Sequence, residues 1–225
     1  MLHYIFPLLG TLFYLLCPIQ NLNKNNMIIS TYNLRSIIIV HNFFLATFSA
    51  YIFINLFKII YTEGIVFESN YYFKNPDFDH LIYLFYLSKY YEYIDTFILY
   101  LQNKNPIFLQ KFHHVGAVIC WHLCYYNKVD CIWMASILNA FVHTFMYTYY
   151  LLSIFKINSI YKYKKYITLL QIVQLTSANI VSPYLYFPPI ETIKNYSIII
   201  FFNTYVLILI YLFIQFSYKS YLIKK

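Results

Sequence analysis

Seven stretches of this chain, roughly residues 3–17, 36–61, 80–102, 107–126, 131–152, 166–184 and 198–217, are apolar over close to the length that a helix needs to cross a bilayer, about 20 residues. The connectors between them are short, and no linker, internal repeat or change of composition divides residues 1–225. The chain is 61% hydrophobic and 11% charged, against roughly 45–50% and 25% for a soluble domain. The expected fold is therefore an all-α integral membrane protein, one domain over 1–225, with seven transmembrane helices in a single bundle. The first stretch, "HYIFPLLGTLFYLLC", has the length of a signal-peptide core but lacks a basic leader and a small-residue exit, so it reads as a retained span.

Charge orients the spans. Positive residues gather on the cytoplasmic side of a membrane protein, and here Lys24, Arg35, Lys104, Lys111, Lys156, Lys162, Lys164, Lys165, Lys219, Lys224 and Lys225 all fall on one side of a seven-span path. The other side holds Lys74, Lys128 and Lys194 beside Glu63, Glu68, Asp77, Asp79, Asp130 and Glu191. The N-terminus is expected to be lumenal and the C-terminus cytoplasmic. The net charge of +8 is accounted for by this topology, and no soluble basic fold exists to bind nucleic acid.

Two acids remain, Glu92 and Asp95, both inside the third stretch. A charge at that depth costs at least about 2.5 kcal/mol and is ordinarily paired in the bundle interior or retained for function. Lys89, Glu92 and Asp95 recur at steps of three, with Thr96 four beyond Glu92, so they share one side of a helix. The fifth stretch places Asn139, His143 and Tyr147 at steps of four, the sixth places Thr168, Gln171 and Gln174 at steps of three, and the second offers His41 and Asn42. Any one stripe is compatible with interhelical hydrogen bonding. Measured from the cytoplasmic ends at the helical rise, however, Glu92, Thr96, His113, His143, Tyr147, Gln171, Gln174 and His41 all lie about 8–15 Å deep. A polar chamber in the cytoplasmic half, backed by Ile, Leu, Phe and Tyr, suits a charged head group near the cytosol and a buried hydrocarbon tail, hence a bundle around a substrate tunnel.

These residues resemble the ELO family of very-long-chain fatty acid elongases. The family's K-x-x-E-x-x-D-T motif is matched by Lys89, Glu92, Asp95 and Thr96; N-x-x-x-H-x-x-M-Y-x-Y-Y by Asn139, His143, Met146, Tyr147, Tyr149 and Tyr150; T-x-x-Q-x-x-Q by Thr168, Gln171 and Gln174. The H-x-x-H-H box departs, because "QKFHH" puts Gln110 before His113 and His114, and an amide does not titrate near neutrality. The resemblance runs from about Leu34 to Ser182. It implies a membrane enzyme of the endoplasmic reticulum that condenses an acyl-CoA with malonyl-CoA to 3-ketoacyl-CoA, with no bound cofactor and with membrane lipid and the reductases and dehydratase of the elongation cycle as neighbours. A homodimer is left open. The terminal Lys224 and Lys225 fit the family's dilysine retrieval signal loosely.

The resemblance also implies a ping-pong route through His113, with His114 and His143 beside it as catalytic residues. The remaining motif residues, with Gln110, support the site or bind substrate. Asn139, Gln171 and Gln174 are candidate donors to the enolate, and Lys104, Lys111, Lys162, Lys164 and Lys165 candidate partners for CoA phosphates. A neutral imidazole is a competent acyl acceptor near pH 7. Two other functions compete. A di-iron lipid oxidase needs more ligands than His113, His114, His122, His143 and His41 provide, and Cys17, Cys120, Cys124 and Cys131 show no metal spacing, so no metal is expected. A transporter would more often show inverted repeats and glycine- or proline-broken helices, and this chain has three glycines and no visible repeat. Acyl-chain preference depends on the far end of the tunnel, where "SAYIFINLF" and "ANIVSPYLY" are the candidate segments.

Overall fold

The computed structural model describes residues 5–16, 31–66, 70–130, 132–186 and 193–222. Cys17, Lys24, Glu68, Cys131, Glu191, Lys224 and Lys225 lie outside them. Among the described residues there is helix and no strand. The α-helices are α1 (Ile5–Leu16), α2 (Thr31–Glu63), α3 (Pro76–Tyr91), α4 (Tyr93–Leu101), α5 (Phe108–Tyr126), α6 (Ile132–Ile154), α7 (Lys164–Tyr186) and α8 (Ile193–Ser217), with a π-helical turn over Tyr218–Leu222. Each of the apolar stretches carries helix. Two runs, Asn33–Glu63 and Asn195–Tyr221, are long and apolar enough to cross a membrane by length and composition, and α1 is a shorter apolar helix.

The third stretch differs from its expected form. It is interrupted at Glu92, which separates α3 from α4 with φ −62° and ψ −15°. There the Asp95 amide bonds back only three residues, to the Glu92 carbonyl at 3.1 Å, the tighter pattern of a 3₁₀ turn inside a helix. The interruption falls at Glu92, whose side chain is buried with that of Lys89.

Local chemistry sets the helix ends. Asn75 caps α3, its Oδ1 accepting from the amides of Asp77 at 2.9 Å and Phe78 at 3.3 Å, with Pro76 at the first helical position and Asp77 and Asp79 in the first turn. All three features favour a helix start. The helices α4, α5 and α6 each stop two residues before a left-handed residue, Asn103 (φ 57°), Lys128 (φ 52°) and Lys156 (φ 55°), a conformation that ends a helix. At the end of the bundle that holds the α2–α3 and α5–α6 connectors, Asp130 accepts from the Tyr71 amide at 2.6 Å, and burial pushes its carboxyl up to about 7. Lys128 pairs with Asp79 there.

The packed core fills that same end: Ile52 and Leu56 of α2, Phe78, Ile82 and Phe85 of α3, Trp121 and Cys124 of α5 and Ile132 and Trp133 of α6 are all buried. α2 lies most extensively along α6, and α8 packs on α5 and α7. α1 is pinned to the bundle by Tyr14, which stacks on Tyr93 at 4.1 Å between ring centroids and shares a 2.8 Å hydrogen bond with Thr96. The outward faces of α2 and α8 expose Val40, Phe43, Ile54, Phe57, Leu207 and Tyr211, the distribution expected where lipid takes the place of water.

Candidate active site

Lys89 is 1% exposed and Glu92 2% exposed, and a buried ammonium needs every one of its donors answered. Lys89 Nζ donates to Glu92 Oε1 at 2.7 Å and to Asn139 Oδ1 at 2.8 Å, and sits 4.0 Å from the Phe85 ring centroid. Because the ammonium can only donate, Asn139 must present its oxygen to Lys89 and its NH2 to the other side. That NH2 lies 3.2 Å from His143 Nε2, which must then accept. The ring proton of a neutral His143 is thereby placed on Nδ1, 3.4 Å from Glu92 Oε1. Lys89, Asn139, His143 and Glu92 close a ring of four side chains across α3, the Glu92 break and α6. Glu92 Oε2 is buried with no hydrogen-bond partner.

Asp95 is the second junction. His41 Nε2–H of α2 donates to Oδ1 at 2.7 Å, the Tyr147 hydroxyl of α6 donates to Oδ2 at 2.7 Å, and His114 Nε2 of α5 lies 3.9 Å from Oδ2. Thr96, next along α4, meets Tyr14 of α1 and the Gln110 amide of α5, the latter at 3.4 Å. Four helices thus converge on two adjacent residues of α4.

Both junctions border a cavity of about 690 Å3. α2 contributes His41 and Asn42, α4 and its approach Glu92 and Asp95, α5 Gln110, His113 and His114, α6 His143, Met146, Tyr147 and Tyr150, and α7 Thr168 and Gln171. The cavity reaches Lys104, Tyr161, Lys164 and Tyr221 at its margin. Asn139, Lys89 and Thr96 are buried behind this wall. Gln174 is buried and does not line the cavity, whereas Gln171 does, with its amide 3.2 Å from Met146 Sδ. Thr168 is tied to Tyr221 at 3.1 Å, which draws the π-helical turn over the cavity margin.

The adjacent box histidines diverge, as a 100° step on a helix requires. His113 turns toward His143, with ring centroids 6.3 Å apart, and its ring makes no hydrogen bond to another described residue. His114 turns toward α1 and α4, edge-on to Tyr14 and Tyr93, each at 6.2 Å. Of the basic residues proposed for phosphates, Lys104 and Lys164 line the cavity, while Lys111, Lys162 and Lys165 lie over the rings of Tyr100, Tyr163 and Tyr166. Among the described residues no three His, Cys, Asp or Glu groups are arranged to hold a metal ion. The segment "SAYIFINLF" contributes no residue to this cavity.

Sequence reasoning placed His41 in the polar layer without a partner, and overlooked Tyr14, Tyr205 and Tyr221. The tyrosines carry no local signal in a chain with 28 of them. Tyr205 donates to the His113 carbonyl at 2.8 Å from α8, far away in sequence.

The chain is similar to several curated elongases. It is 45% identical to the fatty acid elongase sre1 of Dictyostelium discoideum over 103 residues, 45% of this chain and 38% of that protein. It is 30% identical to the mouse very long chain fatty acid elongase 2 over 206 residues, 84% of this chain and 67% of that protein, and 31% identical to elongase 5 of Xenopus laevis over 196 residues, 83% and 65% respectively. The chain thus spans about a third to two thirds of the length of these relatives. The family model described as the GNS1/SUR4 family matches residues 1–225, and with the motif residues gathered around one cavity the chain belongs to the ELO family.

Proposed function

We propose that this chain is a fatty acid elongase of the endoplasmic reticulum membrane, a single seven-span domain with a lumenal N-terminus and a cytoplasmic C-terminus, which condenses an acyl-CoA with malonyl-CoA and binds no cofactor. The observation that carries the reading is the placement of the His113 imidazole, whose ring turns toward His143, beside the buried ring of Lys89, Glu92, Asn139 and His143 on the same cavity. In the first half-reaction a His113 ring nitrogen attacks the thioester carbonyl, the acyl–N bond forms and the C–S bond breaks. The imidazole N–H proton leaves with CoA as its thiol. His143 carries its own ring proton on Nδ1, facing the buried carboxylate of Glu92, so it takes up and returns that proton at Nε2 only by exchanging its bond from the Asn139 amide.

In the second half-reaction malonyl-CoA loses carbon dioxide. Its enolate forms the carbon–carbon bond at the acyl carbonyl, the acyl–N bond breaks, and the His113 nitrogen takes a proton from water in place of the one that left with CoA. Gln171, on the cavity wall, is better placed than Gln174 to donate to the enolate oxygen. Lys104 and Lys164 at the margin suit the CoA phosphates, and Met146 and the tyrosines offer apolar surface for the acyl chain.

Incubation of purified protein with acyl-CoA alone is expected to release about one CoA per active site, because attack proceeds but nothing collects the acyl group. His113→Ala is expected to abolish that burst, and labelled malonyl-CoA to yield labelled 3-ketoacyl-CoA. A protein that makes the product without the burst condenses in one ternary complex, which would remove the acyl-histidine. One that makes no product is not an elongase.

A further inference from the structure

Among the described residues four imidazoles line the cavity, those of His41, His113, His114 and His143, and of these His41 comes from outside every motif. It is 3% exposed. Its ring lies nearly parallel to Tyr91, with centroids 5.3 Å apart and planes at 21°, and edge-on to Tyr147 at 6.3 Å. That packing aims Nε2–H at Asp95 Oδ1, 2.7 Å away. Its Nδ1 is buried with no hydrogen-bond partner, a loss that a phenyl ring at the same place would not incur.

The effect of His41 falls on Asp95. With His41 on one carboxylate oxygen and Tyr147 on the other, the group is fixed from two helices and cannot rotate. Its Oδ2 then stands 3.9 Å from His114 Nε2, beyond hydrogen-bond reach but near enough for the fixed carboxylate to bias the orientation of that ring. On α5, Gln110 occupies the position one turn before His114, lines the same cavity and reaches Thr96, the residue after Asp95, with a neutral amide. An imidazole at position 110 would act on the box from its own helix, whereas His41 acts on it from α2 through Asp95.

We propose that His41 is a positioning residue for the condensation, supplying from α2 the imidazole that the histidine box lacks at Gln110 and orienting His114 through Asp95. This rests on the elongase reading of the cavity.

The test is a double-mutant cycle on the full chain purified in detergent, reading 3-ketoacyl-CoA formation. His41→Phe keeps the ring stacking and removes the donor. It is expected to lower kcat about 10-fold to 100-fold, the loss expected for one hydrogen bond to a charged group, with KM changed by less than about threefold, since the His41 ring is only 3% exposed and its Nε2–H is spent on Asp95. Adding Gln110→His is expected to raise kcat by a factor at least about fivefold larger in the His41→Phe background than in the native one, because the two positions serve one network. His41→Gln, which keeps an amide donor of similar reach, is expected to retain more of the native kcat than His41→Phe, and should His41→Phe fold poorly, His41→Leu takes its place with the same loss and the same rescue expected. Equal factors for Gln110→His in both backgrounds would overturn the proposal, as would full activity of His41→Phe or a loss confined to KM. A native chain that makes no product sinks the elongase reading and this proposal together, and is recognised from the native protein alone.

Discussion

Lys89 and Glu92 form a fully buried ion pair, and a buried pair is more costly to break than to replace. Removing one partner leaves an uncompensated charge, at about 3–5 kcal/mol. Lys89→Met is therefore expected to lower the thermal midpoint in detergent sharply and to abolish condensation. Lys89→Met combined with Glu92→Gln is expected to recover most of the midpoint while activity stays lost, since Asn139 and His143 lose the groups that orient them. If activity returned with stability, the four-residue ring would be a scaffold only. The pairing of Lys89 with Glu92 was legible in sequence, because steps of three on a helix bring side chains together. The closing of the ring through Asn139 was not, since it depends on how α3 meets α6. His41 was harder still, because a lone histidine in an apolar helix gives no sign of a carboxylate 54 positions away.

At the level of helices, the sequence marks existence and approximate extent, and contacts between helices add what it leaves out. The run through Lys89, Glu92 and Asp95 keeps a helical period, so nothing in it announces the break at Glu92, where the Asp95 amide bonds back three residues instead of four. Gly116 gives a clearer case. Tyr205 of α8 lies so close to it that a Cβ there would sit 1.9 Å from the ring, and the same tyrosine bonds the His113 carbonyl one turn earlier. The glycine thus lets α8 approach the box and hold its backbone. Gly116→Ala is expected to push Tyr205 out, costing about 1–3 kcal/mol as overpacking does, and to lower condensation with it. Adding Tyr205→Leu, which shortens the intruding side chain, is expected to restore stability relative to Gly116→Ala alone without restoring the bond to His113. Adding Tyr205→Phe, which keeps the ring, is expected not to. Matching midpoints for the Leu and Phe doubles, measured in the same detergent, would mean that the α5–α8 approach is looser than this contact implies.

Across the whole molecule, polarity and packing divide along the bundle axis. One end holds the buried aromatic and aliphatic core and the Asp130 and Lys128 ties between connectors. The other holds the cavity, with Lys104, Tyr161 and Lys164 at its margin. The basic residues of the sequence cluster on the connectors of that second end, so the charge asymmetry that orients insertion and the entrance that a charged CoA thioester would need coincide. Insertion in the opposite sense would open the cavity on the lumen, away from soluble acyl-CoA. Two exposed positions separate the possibilities, Ser159 beside Tyr161 and Asp77 in the first turn of α3. With Cys17 and Cys131 replaced by serine, and with Cys120 and Cys124 buried, single cysteines are introduced as Ser159→Cys and Asp77→Cys in sealed microsomes. A membrane-impermeant maleimide is expected to label Ser159→Cys in intact vesicles and Asp77→Cys only after detergent opens them. Labelling of both from outside would place the two positions on one face and contradict an odd number of spans between Asp77 and Ser159. The reverse pattern would keep the bundle but turn its entrance to the lumen, and the cytoplasmic route for CoA would then have to be abandoned.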